Sequence, residues 1–125
     1  MPQSSTNPVF VYDDAGRVAD ANEAAAVLAD IPLPKLRRMH LRDFFHPDEL
    51  PITEELMRSL RPGEEQRFER WFRCCSGRYD RVTALVTRRT IGGYRAEYIP
   101  LSGKAVELPS RLDAATPESS SGGDQ

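Results

Sequence analysis

Val9-Phe10-Val11-Tyr12-Asp13-Asp14-Ala15-Gly16-Arg17-Val18-Ala19-Asp20, followed by Ala21-Asn22-Glu23-Ala24-Ala25, is the stretch on which the reading of this chain turns. Val9 to Tyr12 is a β-branched and aromatic run, the composition that suits a half-buried strand. Asp13 to Gly16 closes it with a turn in which Gly16 supplies the positive φ, and Arg17 to Asp20 returns as its partner, so the segment predicts a β-hairpin. Asn22 then offers a side-chain oxygen to an orphan N–H of a helix running to Ala29, with Glu23 near its positive end. Pro32 and Pro34 stop that helix.

Further along, Lys35 to Met39 suits one more helical turn, and Phe44-Phe45 supplies bulky core material. His46-Pro47-Asp48 signals entry to a helix over Leu50–Leu60, with Ile52, Leu56 and Leu60 on one face and Met57 beside them; Arg61-Pro62-Gly63 ends it. The period then changes from helical to alternating. Phe68, Phe72 and Cys74 alternate with polar neighbours, as do Val82, Ala84 and Val86, and then Tyr94, Ala96 and Tyr98. Ser76-Gly77 and Gly92-Gly93 separate these three strands into an antiparallel meander. The order closes as an α+β fold, a five-stranded antiparallel sheet with short helices packed on one face.

Composition sets the bounds. The 125 residues are 39% hydrophobic and 29% charged with a net charge of −2, which is ordinary soluble material. No stretch approaches the ~20 apolar residues that cross a bilayer, and the polar opening MPQSSTNP lacks the regions of a signal peptide, so a cytoplasmic location is expected. The two cysteines, Cys74 and Cys75, are adjacent and cannot staple distant segments, which fits a reducing compartment. Basic residues are 15 Arg and 2 Lys in a chain of pI about 5.7, so neither nucleic acid nor membrane is expected as a partner. Residues 1–7 and the stretch from 104 to 125 are too poor in large apolar groups to offset their ordering entropy, leaving 8–103 as one folded domain.

Asp13-x-x-Gly16, Asn22-Glu23-Ala24-Ala25, Asp43-Phe44-Phe45-His46-Pro47-Asp48-Glu49 and the Gly77 turn between long strands, in that order, resemble the PAS domain family over nearly all of residues 8–101. The resemblance implies a sensor or interaction module whose curved sheet and helices enclose a core or a ligand while its outer face docks partners. Family members commonly carry glycine where this chain has Asp30 and Arg38, so the backbone is expected to differ there. The D-I-T signature that often ends the last strand is replaced by Pro100-Leu101-Ser102. No effector domain follows, so a signal is expected to pass in trans. The reactive cysteine motif of the family's flavin photosensors has no counterpart between Leu33 and Phe45, and neither His40 nor His46 has a supported iron-binding context. Flavin and haem are therefore not expected, and no metal site is, because two isolated histidines fall short of a ligand set.

The candidate ligand-binding residues are Phe10, Tyr12, Ala25, Ala29, Leu56, Arg70 and Phe72. Very small side chains on the first helix either leave a cavity over the sheet or let the helix approach closely. Arg70 shares the parity of Phe68 and Phe72, and turned inward it needs an anionic ligand, one of the protein's own acids, or a path to the sheet edge. His46 suits the structural start of a helix, and His40 suits solvent. Trp71 has the opposite parity, flanked by Glu69 and Arg73, and a Trp on the outer face anchors either an interface, a symmetric homodimer being the commonest, or the chain's own residues 104–112. No nucleophile, phosphate-loop or paired-carboxylate motif survives inspection, so an enzyme is not expected. Two functions fit: a sensor that binds a small organic ligand and relays it through protein contacts, or a ligand-free dimerisation and docking module acting in trans on a kinase or transcription regulator.

Overall fold

The computed structural model describes residues 7–101 and 105–108. Strands β1 (Val9–Tyr12) and β2 (Val18–Ala21) form the hairpin. Helices α1 (Glu23–Ala29) and α2 (Leu33–Leu36), a 3-10 turn (Leu41–Asp43) and helix α3 (Leu50–Arg58) follow, and then the long strands β3 (Glu65–Arg73), β4 (Tyr79–Arg88) and β5 (Tyr94–Pro100). All pairings are antiparallel and the sheet order is β2-β1-β5-β4-β3. The expected α+β architecture of five strands with short helices is therefore the observed one. Pairing β1 with β5 brings the two ends of the domain together at the centre of the sheet.

Period-two alternation turns Phe10 and Tyr12 of β1, Phe72 of β3, Val82, Ala84 and Val86 of β4, and Tyr94, Ala96 and Tyr98 of β5 into one core with Ala25, Ala29, Leu36, Phe44 and Met57. Each large side chain so buried stabilises the fold by about 1.5–3 kcal/mol. Asn22 caps α1 as expected: its Oδ1 accepts from Ala25 N at 2.9 Å and from Val9 N at 3.1 Å, tying the helix start to the first strand. At the other end Asp30 N–H reaches Val27 O at 3.2 Å and Ile31 N–H reaches Ala26 O at 3.1 Å. This is a Schellman closure, which requires a left-handed residue. Asp30 takes that role with φ 59 and ψ 43, so the backbone does not depart from the glycine form at this position, contrary to expectation.

Three other expectations are corrected. The first helix ends before Pro32 as expected, but the turn expected over Lys35 to Met39 starts earlier, with Pro34 in the first turn of α2, where its missing N–H costs nothing. In α3 the inward positions are Thr53 and Met57, with Leu50 and Leu60 packed beside them; Ile52 is 59% exposed and Leu56 only half-buried. The rotation of α3 thus takes Leu56 off the core face. Val106, inside the segment expected to be loose, pairs with Tyr79 through two backbone hydrogen bonds of 2.7 Å. The remainder of the two expected tails lies mostly outside the described residues.

Gly93 is required by its turn. With φ +78, it lies so close to the Tyr12 carbonyl that a Cβ there would collide with main chain.

Candidate functional site

Beneath the sheet the candidate residues Phe10, Tyr12, Ala25, Ala29 and Phe72 are brought together, and all five are wholly buried. Their space is filled with rings. Phe10 lies 5.1 Å from Phe44, 5.7 Å from Phe72 and 5.4 Å from Tyr98, centroid to centroid, and Phe44 stacks on Phe72 at 5.3 Å. These are the separations of packed aromatic pairs. The small residues of α1 admit the helix onto these rings. Leu56 does not join the group.

The cluster contains one polar contact, Tyr12 Oη to Tyr98 Oη at 2.9 Å, with both residues inaccessible to solvent. Burial drives both phenols well above their usual pKa, so the pair is neutral at any physiological pH. Two hydroxyls that satisfy one another in an apolar interior are a structural lock and offer no acid or base.

Arg70 stands on the inward side of β3 but finds no carboxylate there. Its Nε donates to Thr53 Oγ1 at 2.6 Å, one of its terminal nitrogens donates to the Glu69 carbonyl at 2.7 Å, and the guanidinium lies 4.4 Å from the Phe68 ring centroid. Among the described residues it forms no ion pair. Its partners are thus a hydroxyl, a backbone carbonyl and a ring. Partial burial lowers its pKa, the Glu49 charge opposes that shift, and Arg81 adds to it.

β3 is an edge strand, and the loop before α3 covers part of that edge. Arg73 N–H donates to Phe44 O at 2.7 Å, and Trp71 N–H donates to Glu49 Oε1 at 2.8 Å. Trp71 is half-buried on the outer face, with the Arg81 guanidinium 4.9 Å from its ring centroid. Arg81 in turn lies 3.6 Å from Glu49 and 3.7 Å from Glu69. Val9, Val11, Leu85 and Ile99 share this face, half-buried between Glu97, Arg95 and Arg67. Apolar groups thus alternate with charges of both signs across four strands.

Sequence reading overlooked Asp80. It is the first inward position of β4, opposite Phe72, and is only 7% exposed. Among the described residues its Oδ1 meets no hydrogen-bond partner. Burial raises its pKa, against a hydrogen bond from the Arg81 backbone N–H. Beside it a recess of about 440 Å³ opens between α1 and one end of the sheet, lined by Pro8, Ala24, Val27, Leu28, Asp80 and Pro100. The signal lay in the alternation: Asp80 has the parity of Val82, Ala84 and Val86, so the period that turns those three inward turns an acid inward with them.

The histidines are structural. His46 is fully buried and its Nδ1 accepts from Asp48 N at 3.1 Å where the chain turns into α3. His40 is not left to solvent as expected. Its Nδ1 accepts from Arg42 N at 3.1 Å, capping the 3-10 turn, and its Nε2–H donates to Ala15 O at 2.7 Å. A Cβ on Gly16 (φ +90) would lie 2.7 Å from the His40 ring, so the glycine turn and the histidine fit one another. Cys74 is half-buried and Cys75 exposed. Burial, followed by Asp80 and Asp30, pushes the Cys74 thiol up, away from the reactive thiolate. Among the described residues no group of His, Cys, Asp and Glu is suited to a metal, and no helix is long and apolar enough to cross a membrane.

A five-stranded antiparallel sheet over an aromatic core, with helices on the inner side and a mixed apolar and charged outer face, is the architecture of the PAS fold. A family model for the PAS fold matches residues 1–99, and the chain belongs to the PAS family. Among solved structures, the PAS domain of an HTR-like protein from Haloarcula marismortui is similar at 13% identity and TM-score 0.69, covering 79% of this chain and 84% of that one. A domain of the sensory box sensor histidine kinase/response regulator from Geobacter sulfurreducens matches at 14% identity and TM-score 0.63, over 74% and 82%. The PAS domain of the Cronobacter turicensis RpfR quorum-sensing receptor, in complex with C12:0, matches at 13% identity and TM-score 0.65, over 80% and 99%. No curated protein matches the sequence. At these identities the likeness is one of fold.

Proposed function

We propose that this PAS domain is a sensory module that takes up a small organic molecule and reports it by changing a protein–protein contact, made with a second copy of the chain across the outer face of its sheet. The observation that carries this reading is that face. Trp71, Val9, Val11, Leu85 and Ile99 lie across four strands among Arg67, Arg95, Arg81, Glu69 and Glu97. Interspersed charges of both signs are self-complementary under a two-fold axis, which is what an isologous interface requires. The small-molecule part is supported by the fold itself, which in the RpfR receptor holds C12:0. A cytoplasmic setting fits two adjacent free cysteines, and the module has no catalysis of its own in this reading.

Light scattering on size-separated protein tests the contact. The parent chain is expected to dimerise at micromolar concentration, and Trp71→Ala, which removes about 2 kcal/mol of anchoring, to weaken the dimer by about thirtyfold. A monomer at every concentration, or a variant that pairs as well as its parent, removes the homodimer. Native beside denaturing mass spectra of freshly purified protein test the sensor half. Extra mass in the native spectrum alone is expected, whereas bare chain that also takes up nothing from metabolite mixtures leaves a docking module that acts without a ligand.

A further inference from the structure

The inner, aromatic end of the core and the recess beside Asp80 differ in one chemical respect: among the described residues, the first has no buried polar side-chain atom without a hydrogen-bond partner and the second has one. Asp80, only 7% exposed and with an Oδ1 that has no hydrogen-bond partner among the described residues, is part of the wall of an open recess of about 440 Å³. An uncompensated buried carboxylate is costly, and a cationic N–H donor is the partner that restores most, since it supplies both hydrogen bond and charge. The other walls are hydrocarbon. Pro8, Ala24, Val27, Leu28 and Pro100 carry no side-chain donor or acceptor, and Val27 at 80% exposure leaves its own apolar surface uncovered at the recess. The ligand that answers both features has a single positive nitrogen and a short aliphatic body. A metal ion does not answer them, because it needs several converging ligands and no such group exists among the described residues.

We propose that the recess between α1 and the end of the sheet is a binding site for a small organic cation, a primary ammonium on an aliphatic body, with Asp80 receiving the nitrogen and Val27, Leu28, Pro8 and Pro100 the hydrocarbon. This narrows the small-molecule reading above, on which it rests, and it moves the site away from the ring-filled interior. Occupation of the site clamps α1 against the ends of β4 and β5, since its walls come from these three elements and from Pro8, the residue before β1. The same ends are continuous with the outer face: Asp80 is followed by Arg81, the residue that lies over Trp71 and bridges Glu49 and Glu69.

The test is an amide NMR titration of the full chain with hexylammonium, and in parallel with hexan-1-ol as a neutral probe of the same length. Saturable shifts at Ala24, Val27, Leu28 and Asp80 are expected with the ammonium, with the alcohol weaker by about tenfold or more, the difference a charge-assisted bond makes. Asp80→Asn is expected to abolish the preference for the ammonium. Ala24→Leu, which fills the recess while leaving Asp80 in place, is expected to block both probes and keeps the test valid if the Asp80 variant fails to fold. Equal binding of the two probes, shifts spread over other surface carboxylates without saturation, or a response that Ala24→Leu leaves intact would overturn the site. Native mass spectra separate this failure from a failure of the sensor reading: a natural ligand retained by both variants overturns the Asp80 site alone, while a chain that binds neither probe nor any metabolite overturns both.

Discussion

The centre and the α1 end of this domain are built on the same strands and reach opposite conditions. At the centre Phe10 packs against Phe44, Phe72 and Tyr98, Phe44 stacks on Phe72, and Tyr12 and Tyr98 meet each other's hydroxyls. At the α1 end Asp80, opposite Phe72, is buried with an oxygen that has no partner among the described residues and an open recess beside it. Aromatic residues occupy the inner side of the sheet at the centre. The unsatisfied chemistry has been left at the rim. The contrast separates what holds the fold from what is free to respond.

The largest effect that can sharpen the contrast is a truncation at the centre. Phe72→Ala removes a ring in contact with four others and is expected to cost about 3–5 kcal/mol, the loss growing with the cavity left behind. Leu28→Ala on the recess wall, where the side chain is half-buried, is expected to cost about 1 kcal/mol or less. Urea unfolding of the parent and the two variants measures both. Equal losses at the two sites would show that the recess wall is bound into the core as firmly as the rings are.

The tyrosine pair gives a smaller effect with a distinctive pattern. Tyr98→Phe leaves the Tyr12 hydroxyl buried without a partner and is expected to cost about 1–3 kcal/mol, whereas the double change Tyr12→Phe with Tyr98→Phe removes both polar atoms and recovers most of that loss. A double variant that loses as much as the two single changes added together would mean that the hydroxyls act separately and that the centre is not a closed polar unit.

How much of this was legible in the sequence follows the same divide. Alternation placed Phe10, Tyr12, Phe72, Val86, Ala96 and Tyr98 on the inner face correctly, because a strand's period admits only two choices and the apolar set selects one. Asn22 as cap was equally readable, since one short side chain decides it locally. Helix α3 was not: Ile52, Leu56 and Leu60 form one row and Leu50, Thr53, Met57 and Leu60 another, and the second faces inward with a polar member, Thr53, whose partner Arg70 lies on a different element. His40 was misread for the same reason, its partner Ala15 being 25 residues away. Asp30 shows the converse case, in which the tertiary demand for a left-handed residue persisted although the residue type changed. The ring-filled interior, too, could not be read from small residues on α1, because a cavity and a close approach have the same sequence.

Asp80 tests the other side of the contrast through pH. Burial raises its pKa above the unfolded value, so between the two the native state holds more proton than the unfolded chain and stability falls as pH rises through that window. Below the unfolded pKa the group is neutral in both states and the penalty vanishes. Asp80→Asn removes the titration, so the stability of the variant relative to its parent is expected to rise as pH increases from about 4 toward neutrality and then level off. Thermal unfolding of both proteins across that range reads the difference directly and cancels the other carboxylates. A difference that does not change with pH would mean that Asp80 is already compensated, and the α1 end would then be as satisfied as the centre.

The smallest expected effect concerns the helix that serves both regions. α1 turns Ala25 and Ala29 to the rings and Ala24, Val27 and Leu28 to the recess, and its last turn is closed by Asp30 in the left-handed region. A side chain in that conformation carries a steric cost that glycine lacks, reduced for aspartate by its short polar group, while glycine restores entropy to the unfolded chain. The native geometry favours glycine at φ 59, so Asp30→Gly is expected to stabilise by up to about 0.5–1 kcal/mol, with the midpoint of urea unfolding raised and its slope unchanged. The carboxylate also adds to the charge that pushes the Cys74 thiol up, so the same change is expected to make that thiol react somewhat faster with a thiol-directed reagent at fixed pH. If α1 is instead loosened, seen as faster amide exchange at Ala25 and Ala29 together with Leu28, then the Asp30 side chain holds the helix end in a way its backbone alone does not. In that event the centre and the recess share one fastening at the end of α1, and neither can be loosened without the other.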